Sequence, residues 1–418
     1  MKDKYKELLV ARYYVEHVKS VQVAAEEICD EESVGTWTKL TTIENTEIDI
    51  IPRLRAEILD TKVIGDHEGY QSGEVLIGFK TETFDTEAGI TSILSMLAGN
   101  LFGLGALRNI RWVDVEFPRS VSENFPGPKF GVQGVRKILG TDKGEFPNRP
   151  HLGTIVKPKM GLTAKEWAQV AYEAAIGGVD FIKDDENLSN QSFCPIADRT
   201  VAVLEKMDQV KEETGRTVIH AVNVTAKHDV MWRRIEEAID NGAKCLMIDV
   251  ILTGFQELAQ MAADPSVKLP IHVHRTMHAA FTRNQLHGIS MLPVSKIVRM
   301  AGGDQLHIGS YGQGKMDTEL DLELRIKDAM LNPMYEFKQT FPVASGGLYP
   351  AKIPNLVKHG GNNLIIQAGG GIHGHPDGTR KGAMAMKQAL DATLKGISLE
   401  EYAKGHVELA RSLEKWPN

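Results

Sequence analysis

Only three cysteines, Cys29, Cys194 and Cys245, occur in the 418 residues. An odd number without metal-type spacing excludes a disulfide framework or a structural zinc site, and leaves them as buried or incidental thiols. The chain also lacks any apolar run approaching the roughly 18 to 20 residues that span a bilayer. Its amino terminus, MKDKYKELLV, is amphipathic rather than built like a signal peptide, so a cytoplasmic protein without a membrane partner is expected. Nor is there a basic excess: 48 Lys and Arg stand against 55 Asp and Glu, a net charge of −7. The two signs are interspersed, which argues against a surface for nucleic acid or anionic lipid. Internal repeats and low-complexity tracts are absent too.

What is present is an ordinary globular composition, 42% hydrophobic and 25% charged, enough to bury a sizeable core and fill two or three domains. From about His151 onward, apolar β-rich runs end in polar or glycine residues and are followed by helical patterns, the alternation of parallel strands with crossover helices. Strands are predicted to begin at Leu152, Val179, Val218, Cys245, Ile271, Gln305, Phe341 and Leu364. Thr163 and Glu166 have capping-box spacing and open an amphipathic helix running to Ile176. Eight such units fit a closed (β/α)8 barrel better than the alternative, an open doubly wound sheet.

Residues 1–125 have another rhythm. VARYYVEH and GTWTKLTTI read as strands, GEVLIGFKTETF follows, GITSILSMLAGNLF reads as a helix and IRWVDVEF as a strand. An α+β, ferredoxin-like amino-terminal domain is expected there, with the barrel and carboxyl-terminal helices over 126–418. The connection from Phe125 to Pro150 contains a short helix, GVQGVRKIL.

Chemically useful residues gather where the barrel strands end, which is where such barrels place their active sites. In Lys183-Asp184-Asp185-Glu186 the plain reading is a solvated charge cluster. Directly after the apolar VDFI, however, alternation turns Lys183 and Asp185 to one face and Asp184 to the other, with Glu186 free to swing back. Two carboxylates facing a lysine suit a hard cation such as Mg2+, provided the ammonium pairs, moves or changes chemically. A structural ion pair is the alternative. Lys157 and Lys159, two apart, can face the same site and transfer protons, or lie on the surface. In HVHRTMH, His274 is the acid or base of choice and Arg275 suits phosphate; His307 ends the next strand. The clusters Ser345-Gly346-Gly347 and Gly369-Gly370-Gly371 follow the last two strands, where backbone N–H groups often bind phosphate. GSYGQGK resembles a hinged lid carrying Lys315, with a plain surface loop as the alternative.

Together KPKMGL, GGVDFIKDDEN, HVHRTMHAAFTRNQLHG, GKM, PVASGG and QAGGGIHGHP resemble the large subunit of ribulose-bisphosphate carboxylase/oxygenase (RuBisCO), in family order across the barrel. EESVGTWT and AGNLFGLGALRNIR extend the likeness to the amino-terminal domain, and the chain looks closer to the archaeal form III group than to plant enzymes. The resemblance implies that carbon dioxide carbamylates Lys183, which with Asp185 and Glu186 binds Mg2+. It implies proton transfer by Lys157 and His274, substrate contact by Lys159, and closure over the site by Lys315. Arg275, His307 and Ser345 would hold one end of ribulose 1,5-bisphosphate and Thr36, Trp37, Gly369 and Gly370 the other phosphate, with Gly346, Gly347 and Gln367 also binding substrate. Glu31 and Asn100 would reach the neighbouring subunit's site in a homodimer or an assembly of dimers. The implied reaction adds carbon dioxide to an enediolate and yields two 3-phosphoglycerates, with oxygen as competitor.

Three departures stand out. Asp317 and Thr318 follow the loop lysine where the family has glutamate and glycine, Ser310 replaces a common threonine, and LIGFKTETF is unlike its counterpart. A RuBisCO-like enolase, isomerase or decarboxylase acting on another phosphorylated sugar or thiosugar is the main alternative. A non-catalytic sugar-phosphate-binding homologue is another.

Overall fold

The structure, a computed structural model, describes residues 7–36, 38–44, 49–315 and 319–417. The chain divides into two compact units, Met1–Pro126 with Met277–Ala301, and Gly127–Thr276 with Gly302–Asn418. No helix among the described residues is long and apolar enough to cross a membrane.

In the first unit, β1 (Leu8–His17) leads to the Val21–Cys29 helix, then β2 (Glu57–His67) and β3 (Tyr70–Lys80), the Ile90–Ala98 helix and β4 (Leu107–Glu116). The sheet order β4-β1-β3-β2 makes this the expected ferredoxin-like arrangement, with the two-residue β10 (Gly288–Ile289) added in parallel beside β4. Alternation explains β1: Leu9, Ala11, Tyr13 and Val15 are buried while Arg12, Tyr14 and Glu16 are not. The strand expected in GTWTKLTTI does not form among its described residues. Thr41–Glu44 is a helical turn with no buried residue, and Gly35 and Thr36 have no regular structure. Threonine suits a strand only where a pleated surface can pack it, and none of this segment's described residues is buried. Trp37 lies outside the described residues.

In the second unit, β5 (His151–Ile155), β6 (Phe181–Lys183), β7 (Ile219–Asn223), β8 (Cys245–Asp249), β9 (Ile271–His274), β11 (Gln305–Gly309), β12 (Phe341–Ser345) and β13 (Ile365–Gln367) form a closed parallel barrel. All eight begin within two residues of the predicted positions, and pairing of β13 with β5 closes the ring. The capping box forms as expected, Thr163 Oγ1 accepting from Glu166 N and the Glu166 carboxylate from Thr163 N. Helix Gly131–Leu139 matches GVQGVRKIL. Its Val132, Val135 and Leu139 pack with Phe181, Ile219, Cys245, Phe341 and Ile365, the first residues of five strands, so it plugs the amino-terminal end of the barrel. The strand carboxyl ends stay available for chemistry.

Asp180, just before β6, is a keystone at that plugged end. Its carboxylate accepts both prongs of Arg149, each at 2.7 Å, and the N–H of Leu152 at 3.0 Å. Burial alone would raise its pKa, but Arg149 outweighs that and lowers it from 3.8 to about 2. A carboxyl depressed in the folded state stabilises above its unfolded pKa and loses that contribution as pH falls through the folded value. Asp180→Asn is therefore expected to cost about 3 kcal/mol at neutral pH by stranding Arg149. Urea unfolding from pH 5 down to 2 should show the gap from wild type closing as acid protonates the native Asp180. A constant gap would exclude the ion pair as its source.

Candidate active site

Lys183 is the last residue of β6 and is 1% exposed. Its Nζ donates to the Asp184 carbonyl at 2.7 Å and stands 3.7 Å from Glu186 Oε2. Burial depresses its pKa, against the pull of Glu186, Asp185, Asp249 and Asp184, and so favours the neutral amine. Asp184 turns the other way, as alternation requires. Its oxygens accept from Arg199 Nε and Nη2 at 3.1 and 2.9 Å, His220 Nε2 at 2.9 Å and Asn223 N at 2.9 Å. Arg199 also donates to the carbonyls of Cys194 and Ser189, so this buried cluster ties down the loop that carries the other two acids.

Asp185 and Glu186 lie just past the strand. Asp185 Oδ2 accepts from Lys157 Nζ at 2.6 Å and Oδ1 from Asn187 N at 3.2 Å. Burial works to raise its pKa, but the hydrogen bond and charge of Lys157 prevail and lower it. Glu186 is likewise lowered: burial works to raise its pKa, but the neighbouring Lys183 and His274 nitrogens prevail. Asn223, ending β7, reaches the Asp185 and Glu186 carbonyls at 3.3 Å each. Both carboxylates are thus ionised and held by their backbone as well as their oxygens.

His274 ends β9. Its Nε2 is 3.8 Å from Glu186 Oε2, and its Nδ1 is 3.2 Å from Asp249 Oδ1 while accepting from Thr276 N at 3.1 Å. Burial and then the charge of Lys183 lower its pKa, so the ring is neutral at physiological pH. Asp249, ending β8, is fully buried and neither carboxylate oxygen has a hydrogen bond of good geometry. Its charge lies beside the His274 ring. Asp249 and Asn223 were not singled out from the sequence, although each is the polar end of an apolar strand and obeys the rule that located Lys183.

The remaining residues fall into place unevenly. Lys157 and Lys159 lie beyond β5, which ends at Ile155, so strand alternation does not orient them; Lys157 reaches Asp185 and Lys159 is exposed. Arg275 is nearly buried, with its pKa lowered to about 10 by desolvation against the opposing charge of Glu323. His307 Nδ1 and Ser345 Oγ are 2.7 Å apart. Lys315 is exposed, and its N–H donates to the Gly346 carbonyl at 3.0 Å. Gly347, at φ +79°, leaves no space for a Cβ, which would stand 2.9 Å from Lys315 N; the backbone at Lys315 rests on this glycine turn. Gly369 and Gly370 open a single helical turn after β13, and Gly369 lies against the Lys157 side chain. Gln367 is fully buried inside the barrel, with neither amide atom hydrogen-bonded. In the first unit, Asn100 Nδ2 is 3.4 Å from Glu31 Oε1, and Thr36 is half-buried. Asp317 and Thr318 lie outside the described residues.

Among the described residues no three His, Cys, Asp or Glu side chains are grouped to hold a metal. Asp185 and Glu186 supply two oxygen donors, and the adjoining buried amine of Lys183 would supply the third if converted to a carbamate. Formation of that group requires a neutral amine, which burial favours here. The donor chemistry therefore fits Mg2+.

The sequence matches the profile for the ribulose bisphosphate carboxylase large chain catalytic domain over residues 131–416 and that for its N-terminal domain over residues 2–121. It is 42% identical to a ribulose bisphosphate carboxylase of Methanocaldococcus jannaschii, covering 95% of this chain and 94% of that one. Octameric Rubisco from Pyrococcus horikoshii has a similar structure, with a TM-score of 0.89, 38% identity and coverage of 98% and 93% of the two chains. A dimeric archaeal Rubisco from Hyperthermus butylicus matches at TM-score 0.87 and 40% identity, covering 98% and 96%. A rubisco-like protein from Alicyclobacillus acidocaldarius matches at 0.86 and 30%, covering 98% and 99%.

Proposed function

Because the chain belongs to the ribulose bisphosphate carboxylase large-chain family, we propose that it carboxylates ribulose 1,5-bisphosphate to two molecules of 3-phosphoglycerate. The observation that carries this reading is the buried amine of Lys183 between two ionised carboxylates, with Lys157 and His274 at the same strand ends. Carbamylated Lys183, Asp185 and Glu186 would hold Mg2+, whose charge stabilises the negative oxygens that develop on the substrate.

The chain's own groups do the rest. His274 accepts a proton, and the carboxylates of Asp249 near its Nδ1 and Glu186 near its Nε2 offset the cost of charging a buried ring. Lys157 holds Asp185 in place and is the second proton carrier. Arg275 and the two glycine turns bind the phosphates, Lys159 contacts the substrate, and Lys315 closes over the reacting carbons. Loss of the C3 proton gives the enediolate, carbon dioxide adds at C2, water adds at C3, and cleavage between them releases the products; oxygen competes at C2.

Incubation with labelled carbon dioxide, Mg2+ and ribulose 1,5-bisphosphate is expected to label 3-phosphoglycerate. Solvent deuterium exchange into the sugar without label in the product would instead assign the chain to the enolising, RuBisCO-like branch. Absence of both would leave a binding protein.

The active form is a homodimer or an assembly of dimers, with Glu31 and Asn100 completing the partner's site, and the protein acts in the cytoplasm. Co-expression of Lys183→Ala with Asn100→Ala tests the sharing. Each variant alone is expected to be inactive, whereas random hybrids carry one intact site per dimer and restore about a quarter of full activity. No recovery would mean that each subunit completes its own site.

A further inference from the structure

Two adjacent acids between the Val21–Cys29 helix and β2 meet opposite fates. Asp30–Val34 is a single π-helical turn, broken at Glu32 by non-helical angles of φ −97° and ψ 16°, a geometry that is rare and concentrates at functional sites. Glu31 is half-buried beside the exposed Asn100, whereas Glu32 is turned inward and only 6% exposed. Glu32 carries none of the chemistry assigned to Glu31.

What Glu32 holds is the backbone that carries Asn100. Its Oε1 accepts from Asn100 N at 3.1 Å, and the Leu101 N–H also donates to the carboxylate. Gly99 makes room for it, since a Cβ there would stand 2.6 Å from Glu32 Oε2. Tyr13 of β1 donates its hydroxyl to the Leu97 carbonyl at 2.7 Å, so the end of the Ile90–Ala98 helix is tied down at a second point. The π turn is fixed in its own right: Arg55 donates to Asp30 Oδ1 and Glu26 Oε2, each at 2.6 Å, and Ala56 N to Ser33 Oγ at 3.1 Å. One buried carboxylate thereby joins two segments 68 residues apart, and Glu31 and Asn100 sit at that junction.

The titratable groups around this carboxylate are Glu31 on its own turn, Tyr13 on β1 and Cys29 on the Val21–Cys29 helix; the Ile90–Ala98 helix brings none. Tyr13 and Cys29 are neutral, both raised by burial. Asp30 and Glu26 are engaged with Arg55, and Arg53 with Glu82. Burial raises the Glu32 pKa to about 7, helped by the charge of Glu31 and opposed by the Asn100 and Leu101 N–H groups. The anion that serves both N–H groups best therefore gives way to the neutral acid as pH falls through that value.

We propose that Glu32 is a positioning residue whose buried carboxylate fixes the backbone at Asn100, so that Glu31 and Asn100 are presented together to the partner's site. This rests on the shared-site reading only for where those two side chains act. Glu32 itself works through Asn100, from inside its own subunit.

The test uses full-length protein labelled with 15N in asparagine, the Asn100 amide being assigned by its loss in Asn100→Ala. From about pH 8.5 down to about 5.5 the wild-type amide proton is expected to move upfield with a midpoint of about 7, as protonation weakens its acceptor. Glu32→Gln keeps an acceptor of the same shape but has no proton to gain, so its Asn100 amide should not titrate. Glu32→Ala should lower turnover about tenfold, the scale of one charge-assisted hydrogen bond, and Glu32→Gln should recover most of that loss. Co-expressed with Lys183→Ala, Glu32→Ala should return to about a quarter of full activity, against about a twentieth if Glu32 served its own subunit. If Glu32→Ala does not fold, the titration in wild type and Glu32→Gln decides alone. An Asn100 amide indifferent to pH in the wild type, or titrating alike in Glu32→Gln, would overturn the proposal. So would Glu32→Ala hybrids that stay inactive where Asn100→Ala hybrids recover. Recovery in neither pair, with the expected titration, would sink the shared-site reading and leave the Glu32 anchor standing.

Discussion

Lys183→Ala is expected to lower turnover about 10³-fold or more and to abolish activation by preincubation with carbon dioxide, because it removes both a charge-stabilising donor set and its assembly. Asp185 and Glu186 remain in this variant, as does the Arg199–Asp184–His220 cluster that holds their loop, so the backbone should keep its shape. Two carboxylates without a third oxygen donor are poor ligands for a cation that demands near-octahedral coordination. Mg2+ affinity measured by calorimetry supplies a readout apart from turnover. In the wild type it should tighten when bicarbonate is added; in Lys183→Ala it should be weak and indifferent to bicarbonate. Carbon dioxide activation that survives the substitution would remove the carbamate from the account, and unchanged Mg2+ affinity would place the metal elsewhere.

How much of this was legible in the sequence depended on whether a residue's partner was local. The barrel strands were readable because each is a short apolar run with a polar end, and even three-residue β6 is marked by VDFI before Lys183. Helix Gly131–Leu139 was readable from the spacing of Val132, Val135 and Leu139. β2 was not, since none of its described side chains is buried; it sits at the sheet edge and is held by pairing with β3. GTWTKLTTI erred in the opposite sense, carrying strand-forming residues none of whose described members is buried. Within the site, Lys183, Asp185 and Glu186 declared themselves as neighbours in sequence. Asp249 against His274, or Gln305 behind His272 and His307, are pairings made only when β8, β9 and β11 come together. Alternation could say that Asp184 points away from Lys183, but not that Arg199 and His220 wait for it.

Lys315→Ala is expected to separate the two halves of the proposed reaction. The lysine side chain is exposed, and its backbone is tied to the Ser345–Gly347 turn through the Gly346 carbonyl. Gly314 and Gly347 permit that close approach, since a Cβ on either would strike the facing backbone. Truncation at Lys315 therefore removes an exposed cation without disturbing Lys157, His274 or the carboxylates that govern proton removal. Labelled carbon dioxide fixation should fall about 10² to 10³-fold, the usual cost of losing one preorganised donor at a developing charge. Solvent deuterium exchange at C3 should persist within about tenfold of wild type, because general acid–base groups carry that step. Equal loss of both activities would make Lys315 part of substrate binding, and retention of both would make the loop a surface feature. Only the split outcome supports a lid whose cation acts after enolisation, and the same pair of assays on the wild type distinguishes a carboxylase from a chain that only enolises.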